Sequence, residues 1–365
     1  MIPAFTLTRS MEIHVTRFAG EVAKEEKRPE LMPFLLMARD TDGITSASAA
    51  GHLLGAREGR RQIAQRLLEQ LKRSGALEAQ GNEGFKLTEA GHEALKKEAV
   101  FIAERGSWEV WHTSDPLLPH NLIQLTDYSE SKAFDEVRHD APKRNTERPH
   151  TTLDALKGLP LAPIMGGQRQ RIDDLPNNVE RLTSKTGTLT WEVGKKSLSL
   201  KVGEKSFDLP APELSHKATF EALLETAGLT SDWDTEAEVL HRDFANLPDE
   251  SRRDMSEDIT FARPVQLLDY GNFDQTTVRR IEINTRNHFD ADAWAAWRLE
   301  DSIDEVACSR RFEAWCAQAA APFAAFASLR LPSRAVLAAR TRPVQTGAPL
   351  SAVAWNLTAA EDWNL

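Results

Sequence analysis

The chain has 365 residues, of which 45 are Lys or Arg and 55 are Asp or Glu, giving a formal net charge of −10. An apolar share of 41% and a charged share of 27% are ordinary for a globular protein in water, and at roughly 100–200 residues per domain the length favours two or three domains. The acidic balance excludes a protein that coats nucleic acid or an anionic membrane with its whole surface, but leaves room for one local basic face.

No apolar run approaches the ~20 residues of a membrane span. The opening residues lack a basic region followed by an apolar stretch, so no export signal is expected. Cys308 and Cys316 are too few for a disulfide framework and fit a reducing compartment. The expectation is a cytoplasmic protein without membrane contact.

Residues 1–137 read as a helical module followed by a strand. Within them, Thr45 or Ser46 can cap a short helix through Ala49, Ala50, Leu53 and Leu54. A longer helix is expected over 57–74, with an apolar stripe of Ile63, Leu67 and Leu71 widened by Ala64 and Leu68. Gly75 suits the position just past its end. Two short strands, 76–79 and 84–87, flank a turn-rich tip at 80–83. Thr88 then caps a further helix whose first residue, Glu89, suits the positive end of the helix dipole. An upstream helix is expected at about 30–39, with Pro29 and Pro33 limiting its start.

This order resembles the winged helix-turn-helix family. The likeness rests on Ala49-Ala50, Leu53-Leu54-Gly55, Ile63, Leu67, Leu71 and Gly75-Ala76-Leu77, and on Leu87-Thr88-Glu89-Ala90-Gly91 with Leu95. It covers about 70 residues, under a fifth of the chain. The resemblance implies that the helix at 57–74 enters the major groove of double-stranded DNA while basic residues and the wing hold phosphates. Members of the family also serve as protein-docking modules. Over 57–74 the chain carries Arg57, Arg60, Arg61, Arg66, Lys72 and Arg73 against Glu58 and Glu69, a local net charge of +4. Arg57, Arg61, Arg66 and the wing residue Lys86 are the expected phosphate contacts. Gln62, Gln65 and Arg66 can read base edges.

Beyond the module, Trp108-Glu109-Val110-Trp111 reads as a strand. Residues 138–150, with two prolines and many charges, read as a linker. Residues 151–213 read as a small antiparallel β meander, with strands at 188–193, 198–202 and 206–209. Lys185, Lys195, Lys196, Lys201 and Lys205 there form either a second basic patch or a blunted sheet edge. Residues 214–365 read as a mixed region: a helix at 219–228, strands at 259–261 and 278–283, and a helix capped by Asp290 carrying Trp294 and Trp297. Its aromatic residues, at helical spacing, are expected in a core. The fold class expected is thus multi-domain α+β: an N-terminal winged helix, a central small antiparallel β region and a mixed C-terminal region ending in helices.

Catalytic signatures do not emerge. Gly187 and Gly194-Lys195 have the wrong spacing for a phosphate loop, and two lone cysteines do not make a zinc site. His288, Asp290 and Asp292 read more simply as a helix start, and Asp269, Asp274 and Glu282 match a metal-dependent nuclease only loosely. His112, His120, His139, His150 and His241 have no spaced partner that makes a site. Neither cofactor nor metal is expected, nor an enzyme. The function expected is a DNA-binding accessory subunit of a bacterial multi-protein DNA-processing or phage-defence system, with a partner protein subunit. The alternatives are an adaptor whose winged helix docks a partner, and a transcriptional regulator.

Overall fold

The computed structural model describes residues 2–55, 57, 59–81, 83–128, 146–262, 265–267, 269–342 and 349–362. Glu58, His139 and most of the expected linker, residues 138–145, lie outside them. The chain is mixed α and β, with several antiparallel sheets. Contact density divides it into two units: residues 9–190 with 197–212, and residues 1–8, 191–196 and 213–365.

The first of these units is organised by a strand of 23 residues that the sequence reading missed, β1 (Phe5–Lys27). Its signal is a period-2 alternation: Phe5, Leu7, Met11, Ile13 and Val15 are all buried, with polar residues between them. The chain leaves β1 at Lys27, builds the helical module, and returns as β5 (Ala99–His112). The two strands pair antiparallel without interruption from Lys27↔Ala99 to His14↔His112. The module is therefore an insertion at the end of a long β ribbon.

The module runs α1 (Met32–Asp40), β2 (Ile44–Thr45), α2 (Ser46–Ala49), α3 (Arg60–Arg73), β3 (Leu77–Gln80), β4 (Gly84–Leu87) and α4 (Glu89–Lys97). The strands form a small antiparallel sheet in the order β2-β4-β3. Local chemistry fixes its corners. Thr45 accepts from the Ser48 backbone N–H in a reciprocal capping box. Thr88 accepts from the Gly91 N–H and donates to the Gly75 carbonyl at 2.6 Å. Gly91 is required sterically, since a Cβ there would lie 2.2 Å from the Ala76 carbonyl oxygen.

The buried stripe of α3 is rotated from the expected one. Ala64, Leu68 and Leu71 are fully buried against Phe34, Leu35, Ile44 and Phe85; Leu67 is half-buried and Ile63 is 51% exposed. The helix starts at Arg60 after Gly59, which takes φ +85°, so Arg57 precedes it rather than lying on it. Leu71 and the widening residues Ala64 and Leu68 are the ones that are buried; alanine carries little hydropathy, so a stripe centred on the larger Ile63 and Leu67 falls short of the buried one by less than a residue step of ~100°. Replacing Leu68 with Ala should cost about 2–5 kcal/mol in denaturant unfolding, while Ile63→Ala should stay within about 0.5 kcal/mol.

Past β5, β6 (Leu122–Asp127) adds to its free edge. The other edge of β1 is shared by β8 (Gln170–Asp174), β9 (Val179–Arg181) and β10 (Lys185–Val193). The main path of the sheet is β12-β11-β10-β1-β5-β6, where β11 is Ser197–Val202 and β12 is Lys205–Pro210. The meander expected at 151–213 is thus continuous with β1 rather than free-standing. A two-stranded pairing of β7 (Thr146–Glu147) with β9 and a short helix, α5 (Thr151–Asp154), complete this side.

In the second unit, α6 (His216–Ala227) ends at Gly228 with φ +71°. A four-stranded sheet runs β13 (Trp233–Asp234), β14 (Val239–His241), β18 (Thr276–Asn284), β15 (Ser256–Phe261), with β14 and β18 parallel. Between β15 and β18 lies a hairpin, β16 (Val265–Leu267) with β17 (Gly271–Phe273). Short α7 (Asp249–Asp254) precedes β15, and α8 (His288–Asp301), α9 (Ser309–Ala320), α10 (Arg334–Thr341) and α11 (Ala352–Asp362) follow β18. The cap of α8 is Asn287, whose side chain accepts from the Asp290 N–H; Asp290 sits in the first turn instead. Trp294 is fully buried and donates to the Arg252 carbonyl at 2.9 Å. No described helix is long and apolar enough to cross a membrane.

Candidate nucleic-acid interface

The rotation of α3 decides which side chains face outward. With Ala64, Leu68 and Leu71 inward, ~100° per residue puts Gln62, Arg66 and Arg73 at the middle of the outer face and Arg61 and Gln65 on its flank. Gln62 and Arg66 are exposed, as is Arg73; Gln65 is half-buried and donates to Glu69 at 3.1 Å. Arg61 reaches sideways to the β3–β4 tip, where it pairs with Glu83 at 2.9 Å. Lys86, on β4, pairs with Asp42 at 3.2 Å. Arg57 is exposed in the turn before α3, its N–H bonded to the Gly55 carbonyl.

The six expected contacts therefore do not form one set. Arg66 and Gln62 are exposed on the side of α3 that also carries Arg73, which is not among the expected contacts; Arg66 and Arg73 border a groove with Glu69, Glu21 of β1 and Phe101 of β5, and Gln62 borders one with Glu83. Arg61 and Lys86 are each held by a carboxylate. Arg57, Arg66, Lys72 and Arg73 make no ion pair among the described residues. The tip itself carries Glu83 and, at its base, Glu78, against Lys86 alone. Its charge does not favour phosphate.

Two features tie α3 to the ribbon. Arg171 on β8 donates to the Ser74 carbonyl at 3.1 Å and the Arg73 carbonyl at 3.4 Å, satisfying carbonyls that the helix end leaves open. The same guanidinium is gripped by Asp173 and lies over the Phe101 ring, 5.1 Å from its centre.

The lysines of 185–205 are otherwise engaged in part: Lys195 pairs with Glu192 at 2.8 Å, and Lys185 lies 3.8 Å over the Trp111 ring.

A polar cluster absent from the sequence reading sits elsewhere on the ribbon. His14 and His112 are register partners across β1 and β5, and His150 caps α5 beside them. Their ring centres are 4.7–5.8 Å apart. His112 is fully buried. Its Nδ1 lies 2.7 Å from the Thr152 hydroxyl, and its Nε2 3.3 Å from that of Thr16. The Thr152 hydroxyl is also 2.8 Å from His150 Nδ1, which accepts from the Thr152 backbone N–H. One hydroxyl proton cannot serve two acceptors, so the consistent chain is His112 Nδ1–H to Thr152 and Thr152 O–H to His150, with Thr16 donating to His112 Nε2. Burial pushes His112 down to about 3, aided by His14, His150 and Arg181 nearby, and burial lowers His14 as well. Both shifts favour the neutral imidazole at His112 and His14. Among the described residues, no group of three His, Cys, Asp or Glu side chains is arranged to hold a metal ion. Nothing along the sequence brings residues 14, 112 and 150 together; strand register does.

Comparison with family models, curated proteins and solved structures returns no match.

Proposed function

We propose that residues 28–98 are a winged helix-turn-helix that contacts double-stranded DNA through the outer face of α3, and that the chain works as a DNA-binding accessory subunit. The observation that carries the reading is the set Gln62, Arg66 and Arg73: two exposed guanidiniums that make no ion pair among the described residues and an amide on one side of α3, within a chain of net charge −10. Guanidinium is suited to guanine edges and phosphates alike, and glutamine to adenine. The acidic remainder favours local contact and leaves surface for a protein partner.

The test is equilibrium binding of full-length protein to duplex DNA across a salt series. Four to six phosphate contacts give a log–log slope of about −4 to −5. Glu83→Gln frees Arg61 and removes a like charge from the phosphates, so it should tighten binding roughly two- to fivefold.

The adaptor reading has one observation in its favour. Ile63 is 51% exposed on the outer half of α3, where an apolar side chain gains more from a protein partner than from phosphate. It predicts no salt-sensitive DNA affinity, and loss of the partner on Ile63→Asp.

A further inference from the structure

Below the module, α4, β5 and the segment leading into β8 enclose a cavity of about 360 Å³. That is the lower end of the size range of small-ligand sites. Its floor is apolar: Ala76, Ala94 and Val100 are buried, and Phe101 presents its ring. Its charged lining is mixed: carboxylates from Glu25, Glu89 and Glu93, and cations from Lys97, Arg169 and Arg171. From α4 come Glu89, which makes no ion pair among the described residues, Glu93, which pairs with Lys96, and Lys97, which lies 3.8 Å from Glu25. From the β8 side come Arg169 and Arg171, with their guanidinium carbons 5.7 and 5.1 Å from the centre of the Phe101 ring.

The donors are unequally committed. Arg171 spends its fork on Asp173 and the two α3 carbonyls. Arg169 gives one N–H to Glu25 at 2.9 Å and one to the Pro160 carbonyl at 3.2 Å. A guanidinium has five N–H donors, so Arg169 keeps donors for an anion, while Glu89 keeps a carboxylate for a cation. With Lys97 and Glu25 turned to each other, a ligand that meets the carboxylate of Glu89, the spare donors of Arg169 and the apolar lining carries an ammonium, a carboxylate and a compact apolar body.

We propose that this cavity binds a small zwitterion of the free amino-acid class with an apolar or aromatic side chain, held by Glu89 and Arg169 over Phe101. Ser74, whose carbonyl Arg171 holds, lines the same cavity. Occupancy is thereby transmitted to the C-terminal end of α3. This second half rests on the DNA-binding reading; the ligand site does not.

The experiment is calorimetry on the full-length protein with L-phenylalanine, L-leucine and L-tryptophan, each against analogues lacking one charge; for L-phenylalanine these are phenethylamine and 3-phenylpropionate. At least one amino acid should bind about tenfold or more tightly than either of its analogues, since each lost charged hydrogen bond costs about 1.5–3 kcal/mol. Glu89→Gln and Arg169→Gln should each weaken it by a similar factor, and thermal unfolding of the two variants checks that they remain folded. Absence of heat with all three amino acids, equal affinity for the single-charge analogues, or indifference to both substitutions overturns the site. DNA binding is then measured with and without the amino acid. A changed midpoint supports transmission to α3, and an unchanged one with ligand bound overturns transmission. If ligand-free protein binds no duplex, the DNA reading fails while calorimetry alone decides the site.

Discussion

Full-length protein carrying Arg66→Glu and Arg73→Glu is expected to lose DNA affinity by roughly 10²-fold or more, because each guanidinium at a base edge or phosphate is worth about 1–3 kcal/mol and each reversal adds repulsion. Both side chains are exposed and make no ion pair among the described residues, so folding should be unchanged; the denaturant midpoint checks this. Reversal of Arg61 should do less. It sits on the flank of α3 and is already neutralised by Glu83. Gln62→Ala should alter preference among duplex sequences more than overall affinity, since an amide reads base edges and adds no charge. An Arg61 variant that loses more than the Arg66/Arg73 pair would place the contact surface on the flank and contradict the rotated face.

The second large effect is on acid stability. In the unfolded chain His112 titrates near 6.5, whereas in the fold burial pushes it down to about 3. Between those values the unfolded chain takes up a proton that the folded chain refuses. Stability is fully present above about pH 6.5 and falls as the pH drops toward 3. The slope is about 1.4 kcal/mol per pH unit, for an order-of-magnitude total of 5 kcal/mol. The groups facing it are His14 from β1, His150 from the start of α5 and Arg181 from β9, with Glu12 set against His14. His14 adds to the effect, because burial lowers it too. Since domains hold only about 5–15 kcal/mol, the unit built on β1 should lose about 3.5 kcal/mol by pH 4, a large share of its stability. His112→Gln should cost stability at neutral pH and flatten the dependence between pH 6.5 and 4. Urea midpoints at four pH values decide it, and an unchanged slope in the variant would remove His112 as the cause.

Much of the module was legible because its signals are local. Thr88, Gly75 and the turn between 80 and 84 act within a few residues of themselves, and the order of short helix, long helix, hairpin and capped helix read from 44–98 is the order observed. The start of α3 and its rotation were not, for a physical reason. Ala64 is fully buried while the larger Ile63 is half exposed, and hydropathy cannot tell which of two adjacent apolar residues faces a core it does not see. That single shift moved Arg66 and Arg73 to the middle of the outer face and Arg61 off it. The strand β1 was readable in principle from Phe5, Leu7, Met11, Ile13 and Val15. Its partners were not, since β5, β8, β9 and β10 reach it across insertions of very different length. The histidine cluster and the cavity beneath α4 depend on that pairing, which is why neither left a trace in residue spacing.

The most direct measurement is site-specific crosslinking from α3 in the intact chain. A photoreactive phenylalanine analogue at position 62, on the outer face, is compared with one at position 36, an exposed site on α1, each irradiated with duplex DNA at low salt. The account predicts crosslinks to DNA from position 62 that disappear at moderate salt, and none from position 36. Failure of position 62 to crosslink to any duplex at low salt, in protein that remains folded, would contradict it.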